Sequence, residues 1–101
     1  MEFYVIGGEE VVIGFRFVGV RGTAVFTRDE ALEAFRRATA AGNIIVVILT
    51  EQVSAMIAAE VMDWQLSGSY PLVVEIPGIE GHVENRKSLI DSIREAVGLH
   101  V

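Results

Sequence analysis

Ile44-Ile45-Val46-Val47-Ile48-Leu49-Thr50-Glu51 is the stretch that decides the fold. Its six apolar residues run without interruption and do not alternate with polar ones. A strand of that kind has two apolar faces, which asks for cover on both sides, as in a parallel sheet layered between helices. Thr50 follows, a residue able to cap a helix, and the helix it opens is expected over residues 51–65. Within it Val53, Met56, Ile57, Val61 and Trp64 recur at helical spacing, and Ser67-Gly68-Ser69 breaks the pattern.

Working outward, the same alternation of strand and helix repeats. Upstream, Phe3-Tyr4-Val5-Ile6 is a second unbroken apolar strand, ended by Gly7-Gly8. Glu9 and Glu10 then favour a helix start through its dipole, and a helix over residues 9–17 carries Val11, Val12 and Phe15 on its apolar side. Gly14 weakens that helix and is expected to permit close packing on the sheet. Residues 18–26 read as a strand interrupted by Gly19 and Gly22. Thr27-Arg28-Asp29-Glu30 has the form of a capping box, with Thr27 as N-cap and Glu30 three residues on. Its helix sets Leu32, Phe35, Ala38 and Thr39 opposite Glu33, Arg36 and Arg37, and Gly42 marks its stop. Downstream, Leu72-Val73-Val74-Glu75-Ile76 is a strand bracketed by Pro71 and Pro77. A last helix is expected from residue 84 or 85 to residue 97, with Leu89, Ile90, Ile93 and Val97 on one stripe and Gly98 as its cap.

This order predicts an α/β fold of three layers. Its four-stranded, mostly parallel sheet takes the order 2-1-3-4, flavodoxin- or receiver-like, with helices on both faces and a C-terminal helix. Residues 1–78 form the globular body, and residues 79–101 a loop and the C-terminal helix of the same single domain.

Composition bounds the function. The chain has 101 residues, 51% of them hydrophobic, which suits one packed domain. Fourteen acids against eight bases give a net charge of −6 and leave no basic stripe, so nucleic acid and anionic membranes are poor partners. There is no cysteine, which removes disulfides and thiolate chemistry. The longest apolar run is far short of the ~20 residues of a membrane span.

Ligands of doubly wound sheets bind at the carboxyl ends of the strands. Here Gly7-Gly8-Glu9-Glu10 is not a dinucleotide fingerprint, and it puts carboxylates where a phosphate wants amides. A phosphoreceiver needs an aspartate after the third strand and a lysine after the fourth; this chain has Thr50-Glu51 and Pro77-Gly78. His82 and His100 lack a partner at metal-ligand spacing. The reading is therefore of a chain with no catalytic, cofactor or metal site. Two alternatives stand beside it: a stand-alone receiver-like signalling or ligand-binding domain, and a small enzyme using Glu9, Glu10 and Thr50.

Four stretches together resemble the F subunit of the rotary V-type/A-type ATPases. They are Val5 to Val20, with its acidic turn and Gly14-Phe15-Arg16 helix end; Ile45 to Glu51; Pro71 to Gly78, with Glu75-Ile76-Pro77; and Ser92 to Gly98. The resemblance implies a non-catalytic central-stalk protein, part of the rotor axle, that docks on the long coiled-coil D subunit. Contacts to the catalytic A/B ring and to the connector of the membrane ring are implied as well. It also implies a cytoplasmic place, peripheral to the membrane, without insertion into it. By its period alone the stripe of the last helix suits covering the sheet as well as meeting a partner. The interface the resemblance points to is this helix, through Leu89, Ile90, Ile93, Arg94 and Val97, edged by Arg86 and Asp91.

Overall fold

The computed structural model describes residues 2–77. In chain order these form β1 (Glu2–Gly7), α1 (Glu9–Arg16), β2 (Arg21–Ala24), α2 (Arg28–Ala40), β3 (Ile44–Thr50), α3 (Glu51–Met56), α4 (Ala58–Ser67) and β4 (Leu72–Ile76). The four strands make one parallel sheet in the order β2-β1-β3-β4, as the sequence predicts. The expected C-terminal helix, with Leu89, Ile90, Ile93, Arg94 and Val97, lies outside the described residues.

The register lines up rows across all four strands. Gly22, Val5, Ile48 and Val74 form one row, and Thr23, Ile6, Leu49 and Glu75 the next. Because side chains alternate, adjacent rows point to opposite faces. On one face Ile6, Val47 and Leu49 are fully buried beneath Ala31, Ala34, Phe35 and Ala38 of α2, Val53 of α3, Ile57 at the junction of α3 and α4, and Val61 of α4. Each large side chain taken out of water this completely stabilises the fold by about 1.5–3 kcal/mol. On the other face Val5 and Ile48 lie under Val11 and Val12 of α1.

Local chemistry accounts for the helix starts. Thr27 Oγ1 accepts the Glu30 N–H at 3.2 Å, and Glu30 Oε1 accepts the N–H groups of Thr27 at 3.1 Å and Phe26 at 2.8 Å, so the capping box is complete. Thr50 caps α3, its hydroxyl accepting the Val53 N–H at 3.3 Å. Trp64 is half-buried, edge-on to the Phe35 ring at 6.5 Å, and its indole N–H donates to the Pro71 carbonyl at 2.8 Å.

Three features differ from the sequence reading. The second strand is shorter than residues 18–26, because the helices claim both its ends. Gly19 donates to the Arg16 carbonyl and Val20 to the Phe15 carbonyl, both at 3.0 Å, closing α1 through a left-handed Gly19 at φ +87°. At the other end Phe26 is drawn into the cap of α2. The single helix expected over residues 51–65 is two, bent at Ile57, whose φ of −124° and ψ of 37° are not helical. Ile57 is itself fully buried, so the bend follows the core. Gly14 is exposed with no atom near its open side; close packing is permitted instead at Gly7, against Thr50, and most tightly at Gly22. A Cβ there would fall 2.3 Å from Val5 Cγ1 and 2.4 Å from the Val5 carbonyl oxygen.

Gly22→Ala must therefore push β2 off β1, and an overpacked site of this kind costs about 1–3 kcal/mol. Urea unfolding checks this, with Gly14→Ala as the comparison variant expected to be neutral or stabilising. A second prediction concerns the outer end of the sheet. Arg21 donates from Nε and Nη2 to the two Glu2 oxygens at 3.1 and 3.0 Å, and Asn43 Nδ2 donates to Oε2 at 3.1 Å, so Glu2 ties the starts of β2 and β3 to β1. The Arg21 hydrogen bond, helped by the guanidinium charge and opposed by desolvation, holds the Glu2 carboxyl below its ordinary range. A depressed carboxyl stabilises the fold above its unfolded value and stops doing so as the pH falls through its folded value. The stability gap between the wild-type chain and Glu2→Gln should be open at about pH 7 and close towards about pH 3.

Candidate functional site

The carboxyl ends of β1 and β3 are where a doubly wound sheet splits its crossovers to opposite faces, and a cleft opens there. It measures about 500 Å³ and is lined by Gly8, Glu9, Glu10, Val25, Phe26, Thr50, Gln52 and Met56 among others. The topology brings Glu9, Glu10 and Thr50 to this one place, as the sequence suggests. Their chemistry is restrained. Thr50 is 2% exposed, and its hydroxyl is engaged by the Val53 amide at the start of α3. Glu9 and Glu10 are exposed in the first turn of α1, where the helix dipole favours them. They set negative charge at the mouth of the cleft, which opposes a phosphate group. Among the described residues no three His, Cys, Asp or Glu side chains are grouped so as to hold a metal ion.

A second feature escaped the sequence reading. The sheet face that carries α1 has only that helix over it among the described elements. Beyond the reach of α1, Phe3 is 50%, Leu72 53% and Val74 42% exposed, beside a half-buried Val46 and Ile76. The period-two pattern of Leu72, Val74 and Ile76 was visible in the sequence, but which face a crossover covers is a property of the whole topology. Among the described residues no other element covers this apolar surface.

No helix among the described residues is long and apolar enough to cross a membrane. The expected interface residues Leu89, Ile90, Ile93, Arg94 and Val97 are outside the described part and are not placed relative to either feature.

Comparison with known proteins completes the picture. The model of the family "ATP synthase (F/14-kDa) subunit" matches residues 3–97. The A-type ATP synthase F subunit of Methanothermobacter thermautotrophicus is 32% identical over 99 residues, covering 96% of this chain and 92% of that protein. The F subunit of the Methanocaldococcus jannaschii A-type ATP synthase is 31% identical over 100 residues, covering 98% and 97%. That of Pyrococcus furiosus is 26% identical over 110 residues, covering 100% and 98%. The likeness carried by the four sequence stretches thus extends over nearly the whole length, and the chain belongs to the ATP synthase (F/14-kDa) subunit family.

Proposed function

We propose that this chain is a central-stalk component of a rotary A-type ATPase, without an active site of its own. It docks on the coiled-coil D subunit and takes part in coupling ATP chemistry to ion movement. The observation that carries this reading is the family match over residues 3–97, which includes the last apolar stripe as well as the α/β body. Two features of the body support it. The sheet face around Phe3, Leu72 and Val74, which no other element covers among the described residues, suits a chain that works inside a larger assembly. The interior between β1, β3 and the helices is closely filled, which suits a part that carries torque without deforming. On this reading the protein is cytoplasmic, attached to the membrane only through the complex, with the A/B ring and the membrane-ring connector as neighbours.

The docking residues on this reading are Leu89, Ile90, Ile93, Arg94 and Val97, an apolar stripe with a charged edge that fits a coiled-coil seam. Ile93→Asp with Val97→Asp should weaken binding to the purified coiled-coil partner by about tenfold or more, the loss expected of two desolvated anchors. The melting temperature of the isolated chain should move far less. Unchanged affinity with the fold intact would remove the stripe from the interface.

A further inference from the structure

Three of the five arginines among the described residues, Arg16, Arg21 and Arg37, are gathered at one end of the sheet, whereas Arg28 starts α2 at the other. In a parallel sheet every helix starts at the carboxyl ends of the strands and finishes at their amino ends. The first-turn acids Glu9, Glu10, Asp29, Glu30 and Glu51 consequently share one end, and the last-turn bases Arg16 and Arg37 share the other. Arg21, at the start of β2, joins the basic end.

At that end an open groove of about 570 Å³ runs between β2 and α2. Arg16, Arg21 and Arg37 rim it, and its floor includes Tyr4, Ala38 and Ala41; no carboxylate lines it. The Tyr4 hydroxyl is held by Thr23, which keeps the ring in place. Arg37 also pairs with Glu33 and Arg21 with Glu2, yet the two arginine side chains remain 74% and 70% exposed. Arg16 has no carboxylate partner among the described residues.

We infer that this groove is a docking site for an acidic segment of a protein partner. An apolar side chain of the segment lies on Tyr4, Ala38 and Ala41 while flanking carboxylates meet the arginine rim. Charge complementarity selects the occupant. Arg16, with no carboxylate partner among the described residues, and the outer edges of the Arg21 and Arg37 guanidinium groups, which already hold Glu2 and Glu33, surround an apolar floor and match spaced carboxylates on a folded segment. A small phosphate is disfavoured, because this end of the fold presents helix carbonyls and not the amide cradle of a helix N-terminus. The opposite cleft, lined by Glu9 and Glu10, would repel the same segment. The inference stands on the groove and goes beyond the rotor reading without depending on it.

The test is an amide NMR titration of the full chain with three probes. The first is a helical peptide in which a Leu is flanked one turn away on each side by Glu. The second is the same peptide with Gln for Glu, and the third is inorganic phosphate. The acidic peptide should shift Tyr4, Thr23, Ala38 and Ala41, and the Gln peptide should bind about tenfold more weakly. Arg16→Glu with Arg37→Glu should abolish the preference, and the neutral pair Arg16→Gln with Arg37→Gln should reduce it in between. Arg21 is left alone because it clamps Glu2. Equal binding of the two peptides would overturn the inference. So would shifts away from the groove, no shift at millimolar peptide, or the same shifts with phosphate alone.

Discussion

The parallel pairing of β1 with β3 is the constraint on which the rest of the molecule depends. These two strands form the centre of the sheet, and Val5, Ile6, Val47 and Leu49 on them are completely buried. Backbone groups there have no access to water and must find each other in the ladder. The register this enforces sets Ile6 and Leu49 side by side on one face and Val5 and Ile48 on the other. Each face then recruits its helices, α2, α3 and α4 to the first and α1 to the second. The edge strands are attached to this centre and inherit its register, β2 through the close approach of Gly22 to Val5 and β4 through the row of Val73 beside Val47.

The parallel arrangement also distributes charge. Helix ends prefer acids at their N-termini and bases at their C-termini, a local preference of a few tenths to about one kcal/mol each. A parallel sheet aligns those ends, so a local preference becomes a property of the whole domain. A net charge of −6 does not reveal this, since it averages an acidic end with a basic one. The acidic end weighs against phosphate ligands where doubly wound folds usually take them. The family assignment agrees with a body that meets its surroundings through surfaces, and among the described residues the apolar face around Phe3, Leu72 and Val74 is one such surface.

Much of the fold was legible because its signals are short-ranged. Residues 44–49 declare a doubly covered strand by composition alone, and Thr27 with Glu30 encodes a helix start within four residues. What stayed hidden depends on distant parts. The bend at Ile57 leaves the helical spacing of Val53, Ile57 and Val61 intact, so periodicity passes over it. The ends of β2 went to capping hydrogen bonds that outcompeted strand pairing at Val20 and Phe26. The candidate site was only half readable. Glu9, Glu10 and Thr50 could be placed at the strand ends from order alone. The bare face needed the count of helices on each side, and the arginine groove unites residues 16, 21 and 37 from three elements.

The central claim is that the chain is built to be one half of a pair on a shaft. Native mass spectrometry of the chain co-expressed with the coiled-coil D subunit of the same complex tests it most directly. The account predicts a stable one-to-one complex that survives purification and carries no bound nucleotide on this chain. Recovery of the folded coiled-coil partner with this chain separate from it, at concentrations where both are soluble, would contradict the account.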